Sequence, residues 1–241
     1  MNTPYIISIQ VGKPRNLGVE NPSKPMEKPW STGFFKEPVE GNIWLGRCNL
    51  SGDGQADLKN HGGPEKAVLA YSADHYPVWC IEMNLPELPY GAFGENFTIE
   101  GLTEKTVCIG DTYIAGDVRL QVSQPRQPCW KISHHWRIKD LAERVKSTGR
   151  IGWYFRVLNE GYVKRGLPLI LLDRPFPQWT VARASEIMHH RHEDWQAAAE
   201  LASCPLLSMN WRKTLSSSKR QILSRILRWF LSISEDRNKG N

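Results

Sequence analysis

One thiol in this chain is set in a context that could give it chemistry. Cys129 lies in the stretch SQPRQPCWK (residues 123–131), where prolines at 125 and 128 bracket Arg126 and lead directly into the cysteine. Proline fixes its own φ and narrows its predecessor's choices, so Arg126 and Cys129 keep a set spatial relation. An apolar run, Val118 to Val122, precedes the stretch and reads as a strand, which places the cysteine just past a strand end. With Arg126 and Lys131 as cationic neighbours, the sulfur has the setting of a nucleophile or a soft metal ligand. Taken alone, the same residues also describe a small buried cysteine in a proline-bounded turn.

A second stretch, DLKNHGGPEK (57–66), combines two glycines with Lys59, His61 and Lys66. Glycines let backbone amides approach an anion closely, and the cationic side chains offer charge-assisted hydrogen bonds to a phosphate. A glycine turn with surface lysines fits this stretch equally well. GENF (94–97) offers an acid and an amide and reads by itself as a solvated turn. TGRIGWYFR (148–156) mixes two glycines, two arginines and three aromatics, as a planar phosphorylated ligand would require or as a core strand would. The remaining histidines (75, 134, 135, 189, 190 and 192) do not fall into a metal-binding pattern with carboxylates or cysteines.

The elements that must position these residues are short. YIISIQV (5–11) is β-branched and apolar and reads as a first strand. Residues 12–42 hold five prolines and read as loops with short strand pieces. From 43 to 128, brief apolar runs alternate with turn signals such as GDG (52–54), GD (110–111) and GD (116–117), the punctuation of a barrel or sandwich of short strands. One helix is predicted within this region, Ser72 to Met83 with Ser72 as N-cap, and another over Lys139 to Lys146. Tyr154–Leu158 and Leu169–Leu172 read as closing strands. Beyond PFP (175–177) the pattern turns helical: Val181–His192 with Thr180 as cap, Glu193–Leu201, and Ser208–Leu215. Ser218 to Ile233 is amphipathic, with Ile222, Leu223, Ile226, Leu227 and Phe230 opposite Arg225 and Arg228. The reading is therefore a β-rich domain over 1–175 and a small helical appendix over 176–241 ending in that basic helix.

Composition narrows the class. The 241 residues are 40% hydrophobic and 23% charged, enough apolar material for a core. Of the net charge of +6, all arises in residues 212–241, where eight Lys/Arg face two Asp/Glu; residues 1–211 are neutral. The basic balance thus belongs to the tail and does not indicate a nucleic-acid-binding domain. No run is long enough to cross a bilayer and no secretory leader is visible, so a cytoplasmic protein is expected. Five cysteines without a Cys-x-x-Cys pair argue against a zinc ribbon or a disulfide framework.

Taken together, GDGQAD (52–57), HGGPEKAVLAYSADHYPVW (61–79), GENFTIEGLTEKTVCIGD (94–111), SQPRQPCWK (123–131) and TGRIGWYFRVLNEG (148–161) closely resemble the MOSC domain, which is named from the C-terminal domain of molybdenum cofactor sulfurases. The order of the motifs is that of the bacterial YiiM-type subfamily. The helical segment after PFPQWTVARA (175–184) looks like that subfamily's three-helix appendix. The resemblance implies a mainly β fold, a closed barrel of the pyruvate-kinase type, binding the pterin-based molybdenum cofactor in a positively charged groove. Cys129 occupies the place of the cysteine that completes the metal's ligand set. Lys59, His61, Asn96, Arg126 and Arg150 fall within family motifs and are expected to contact the cofactor. Proteins resembling this one reduce N-hydroxylated compounds, including N-hydroxylated purine bases such as 6-N-hydroxylaminopurine, and so detoxify base analogues. No flavin or nicotinamide fingerprint is visible, so electrons are expected from a flavoprotein partner; a homodimer is possible, and neither nucleic acid nor membrane is expected as a partner. Two alternatives stand beside this: Cys129 as a persulfide carrier in cofactor maturation, or a non-enzymatic cofactor-binding module. In one place the chain departs from the family: Gly166-Leu167-Pro168 replaces the usual Gly-Asp after the strand of 157–163.

Overall fold

The apolar, β-branched run Tyr5–Val11, buried at Ile6 and Ser8 to Gln10, gives strand β1, whose residues pair with two different neighbours along its length. The computed structural model describes residues 3–23, 27–189 and 194–217. Eleven further strands follow: β2 Arg15–Leu17, β3 Trp30–Thr32, β4 Glu37–Pro38, β5 Ile43–Leu45, β6 Val68–Ser72, β7 Phe97–Glu100, β8 Thr112–Ala115, β9 Val118–Pro125, β10 Trp153–Asn159, β11 Gly161–Val163 and β12 Ile170–Asp173. Eight of the twelve form one sheet in the order β12-β8-β9-β10-β6-β7-β1-β4, antiparallel except for β6 beside β7. β6 is buried along its whole length, as expected of a parallel-paired strand covered on both faces.

Register shifts at Ile6/Ser8, Tyr154/Phe155, Val157/Asn159 and Leu171/Asp173 each add local twist, and the sheet curls. β12 and β4 are its ends, so the strand order is that of a curled half-barrel rather than the closed ring expected from the resemblance. The departure segment Gly166-Leu167-Pro168 does structural work here. Ile6 N donates to Leu167 O (3.0 Å), Gly166 N to Ile6 O (2.7 Å) and Leu169 N to Pro4 O (2.8 Å), around an isolated bridge of Tyr5 with Pro168.

Six helical segments have defined bounds: α1 Leu58–His61, α2 Tyr76–Met83, α3 Lys131–Trp136, α4 Leu141–Thr148, α5 Val181–His189 and α6 Trp195–Ser203. The helix predicted to start at Ser72 begins later. Ser72 ends β6 and its hydroxyl accepts from Asp74 N, capping a 3₁₀ turn over Ala73–His75 before α2 starts. α2, α3 and α4 share a core in which Trp79, Phe93, Ile132, Leu141, Val145 and Ile151 are buried together. Trp79 is fully buried and donates to Tyr71 Oη (2.6 Å), so truncating it to Ala costs on the order of 3–5 kcal/mol. This core anchors α3, and through it the segment that carries Cys129.

Two compact units divide the chain, residues 1–183 and 184–241. Within the second, Asp194 caps α6 by accepting from Ala197 N (3.0 Å), and a further helix covers 209–217. Ala184, Ile187, Leu201, Cys204, Leu207, Trp211 and Leu215 are among its buried residues. Thr180 does cap the helix that follows it, accepting from Arg183 N (3.1 Å). His190, His192 and the amphipathic segment Ser218–Ile233 lie outside the described residues. Among the described residues no helix is long and apolar enough to cross a membrane.

Candidate functional site

The end of β9 delivers Arg126 and Cys129 to one cavity. The ladder continues one bond beyond Pro125, with Arg126 N donating to Gly152 O (3.1 Å), and the chain then leaves the sheet. Only glycine permits that crossing: Gly152 has φ +79°, and a Cβ there would sit 2.4 Å from Ala70 O. Cys129 is half-buried, and its carbonyl accepts from Ile132 N (3.2 Å) as α3 begins. The cavity is an open groove with about 620 Å³ of empty space, part of it continuous with solvent. Cys129, Arg126, His61, Lys66, Lys131 and Tyr154 form one part of its wall.

Another part of the wall is built by two close backbone approaches. Gly54 N donates to Gly12 O (3.0 Å), and a Cβ on Gly33 would lie 2.5 Å from Gly54 O. Asp53 ties these segments: its carboxylate accepts from Gly12 N (2.9 Å), from Asn96 Nδ2 (2.9 Å) and from the Lys36 ammonium. Lys36 lines the cavity with its side chain almost out of water, and burial lowers its pKa against the opposing pull of Asp53. Sequence reasoning did not single out Lys36; it sits in the proline-rich stretch read as loops, and only the fold brings it to Asp53.

Asn96 reaches the cavity, but its amide is committed to the protein. Oδ1 accepts from Leu69 N (3.1 Å), and Nδ2 serves both Gln10 O (3.2 Å) and Asp53. The neighbouring Glu95 is fully buried and accepts from Gly91 N (2.8 Å), Phe93 N (3.1 Å), Thr98 Oγ1 (2.9 Å) and Tyr76 Oη. GENF is therefore an interior polar knot rather than a solvated turn. The turn reading failed because no local signal announces the four donors that make a buried carboxylate tolerable.

In DLKNHGGPEK, Asp57 caps α1 by accepting from Asn60 N (3.0 Å), and Gly63 turns the chain at φ +91°. The Lys66 ammonium closes the loop on Asn60 O. His61 lies on the cavity side, and its pKa is lowered to about 4. Burial is the main cause, followed by the charges of Lys131, Lys66 and Arg126, with Asp57 opposing them. The imidazole is thus neutral at pH 7, and its shift records three cations converging on one space.

Two expected contacts are not brought here. Lys59 is exposed on α1 and does not line the cavity. Arg150 packs instead on Trp79, its guanidinium 3.9 Å from the ring centroid, and pairs with Glu82 (2.6 Å). The aromatic face of Trp79 and the carboxylate of Glu82 together outcompete the cavity for this arginine.

The group that the cavity suits can be tested on its own atoms. Arg126 is 5% exposed, and its Nη1 is buried with no hydrogen-bond partner among the described residues. A guanidinium kept in that state calls for an anion, because an unpaired buried charge is costly. Lys66 and Lys131 add charge of the same sign, and Cys129 adds a soft donor. Among the described residues no three His, Cys, Asp or Glu side chains converge, so a metal held by protein side chains alone finds no ligand set. The residues present fit an anionic ligand that brings its own metal donors and takes one sulfur from the protein.

Comparison with known proteins shows what the chain is similar to. Residues 57–169 match the MOSC domain, and residues 179–217 match the YiiM-like 3-alpha helix domain. The chain is 43% identical over 218 residues to the uncharacterized protein YflK of Bacillus subtilis, covering 90% of this chain and 96% of that one. It is 37% identical to protein YiiM of Escherichia coli, over 84% of this chain and 89% of that one. A protein of Gibberella moniliformis named "Reductase" is 36% identical over 74% of this chain, which corresponds to 32% of its own length. The crystal structure of YiiM from Geobacillus stearothermophilus superposes with a TM-score of 0.74 at 35% identity, covering 89% of this chain and 98% of that chain.

Proposed function

The chain belongs to the MOSC family, in its YiiM-like branch with a three-helix appendix, and on that premise we propose that it is a molybdenum-cofactor-dependent reductase of N-hydroxylated compounds. The observation that carries this reading is the buried Arg126 with an unpartnered Nη1 in the same cavity as Cys129. Anion recognition and a soft metal ligand are thereby combined within four residues of sequence. The "Reductase" name of the fungal relative supports the reaction type.

In this reading Arg126 and Lys66 hold the cofactor's phosphate, neutral His61 adds a hydrogen bond, and the Cys129 sulfur is the protein's ligand to the metal. Lys36 and Asp53 hold together the part of the wall built by Gly12, Gly33 and Gly54. When bound, the cofactor supplies two-electron reduction of an N–OH group to the amine, with uptake of two protons and release of water. The protein's part is to bind, orient and set the charge around that reaction. Electrons come from a separate flavoprotein, and substrates include N-hydroxylated purine bases, whose reduction detoxifies them in the cytoplasm.

The test is direct. Protein made in a host competent for cofactor synthesis is assayed for bound molybdenum, for pterin fluorescence after denaturation, and for reduction of 6-N-hydroxylaminopurine by a chemical reductant. Stoichiometric metal and pterin with turnover support the proposal. A labile sulfane sulfur on Cys129 without metal would support the persulfide carrier instead.

A further inference from the structure

Beside the cavity, three aromatic rings that the described chemistry does not use contact one another. Trp30 and Trp130 have centroids 5.5 Å apart, Trp130 and His134 4.6 Å, and Trp30 and His134 5.3 Å. Both contacts with His134 are edge-on, at 82° and 79°. Trp130 lies between Cys129 and Lys131, which both line the cavity, yet it is 51% exposed. Trp30 shares a strand face with Thr32, another cavity residue, at a distance of about 7 Å along β3. Cys129, Lys131 and Thr32 line the cavity, so the three rings, supplied by two separate elements, β3 and the start of α3, are carried by chain neighbours of its lining.

A tryptophan half in water forgoes much of the burial that usually holds it in place. Here two neighbouring rings brace it, so its orientation is set while part of its surface stays open. Such a surface takes a planar ring by stacking with little further loss of side-chain freedom. The cavity wall itself carries four cations, Lys36, Lys66, Arg126 and Lys131, that recognise charge. The rim is where a flat, uncharged group would be read.

We propose that Trp130, braced by Trp30 and His134, is the specificity-determining residue that selects planar heteroaromatic N-hydroxylated substrates by stacking their ring at the cavity rim beside Cys129. This rests on the reductase reading above. It predicts that small aliphatic N–OH compounds, which have no ring to stack, are handled without help from Trp130.

Trp130→Ala and Trp130→Phe are compared with the unmodified cofactor-loaded protein, using 6-N-hydroxylaminopurine and N-hydroxyurea as substrates. Equilibrium dialysis of adenine, the planar amine product, gives a reading independent of turnover. Trp130→Ala should lower kcat/KM for the purine roughly 5- to 150-fold, mainly through KM, the range expected for loss of one base-stacking aromatic. N-hydroxyurea turnover should change less than about twofold, adenine binding should weaken in step with the purine KM, and Trp130→Phe should recover most of the purine activity. Equal losses with both substrates would overturn the proposal and make the ring a support for the fold; no loss with either would overturn it as well. If the unmodified protein reduces neither compound, the reductase reading fails, and adenine dialysis alone decides the role of Trp130.

Discussion

Replacing Arg126 by Met should make the cofactor-free protein more stable while it weakens the site. The methionine keeps most of the aliphatic length, and the Arg126 N–H bond to Gly152 O is a backbone contact that survives the change. What disappears is a buried cation whose Nη1 has no partner among the described residues. A buried unsatisfied polar group costs about 1–3 kcal/mol, more when charged, so the variant should gain roughly that much. For a protein of this size each kcal/mol moves Tm by about 2–4 °C, which gives a rise of roughly 2–12 °C. A charge-assisted hydrogen bond to a phosphate contributes about 1.5–3 kcal/mol, so affinity for the cofactor should fall roughly 10- to 150-fold. Tryptophan fluorescence during thermal unfolding of the apo proteins measures the first effect, and pterin content per chain after parallel expression measures the second. A lower Tm in the apo variant would mean that the guanidinium supports the fold, and the argument from its unpaired state would be refuted.

The remaining predictions concern the residues around it. Asp53→Asn strands the buried Lys36 ammonium and puts an amide where three donors converge, so urea denaturation should report a loss of about 3–5 kcal/mol; a loss below about 1 kcal/mol would show that the pair does not hold the wall. His61 has a folded-state pKa of about 4, below its ordinary value of 6.5, so the unfolded chain takes up the proton first as pH falls. Its stability contribution is complete above pH 6.5 and is lost as pH drops toward 4, so unmodified protein should lose stability relative to His61→Asn across that window, whereas parallel curves would contradict the assignment. Arg150→Ala removes the stack on Trp79 and the pair with Glu82, and should cost about 1–2 kcal/mol of stability while leaving pterin content unchanged; a drop in pterin content would return Arg150 to the site.

The elements the sequence revealed were those with strong local signals. β1 runs over the residues its apolar, β-branched composition predicts, and proline punctuation singled out the segment that carries Arg126 and Cys129. α4 lies two residues later than expected, at Leu141–Thr148, a small shift at a fraying boundary. What local pattern could not reveal was which charges meet. Lys36 becomes a cavity residue because Gly12, Gly33 and Gly54 let three segments pack backbone to backbone, a contact across tens of residues. Arg150 left the site for the same reason in reverse, since a tryptophan 71 positions before it in a different element is invisible to a window around TGRIGW. α3 was missed because KISHHW carries no helical periodicity; it is held by Ile132 in the shared core.

The proposed function requires the Cys129 sulfur to bind molybdenum in this cavity. X-ray absorption at the molybdenum edge, on unmodified and Cys129→Ser protein loaded in the same host, reads the metal's ligands directly. The account predicts one sulfur scatterer fewer in the serine variant, together with loss of N–OH reduction and an unchanged fold by circular dichroism. An identical sulfur shell around the metal in both proteins, with turnover retained, would contradict it.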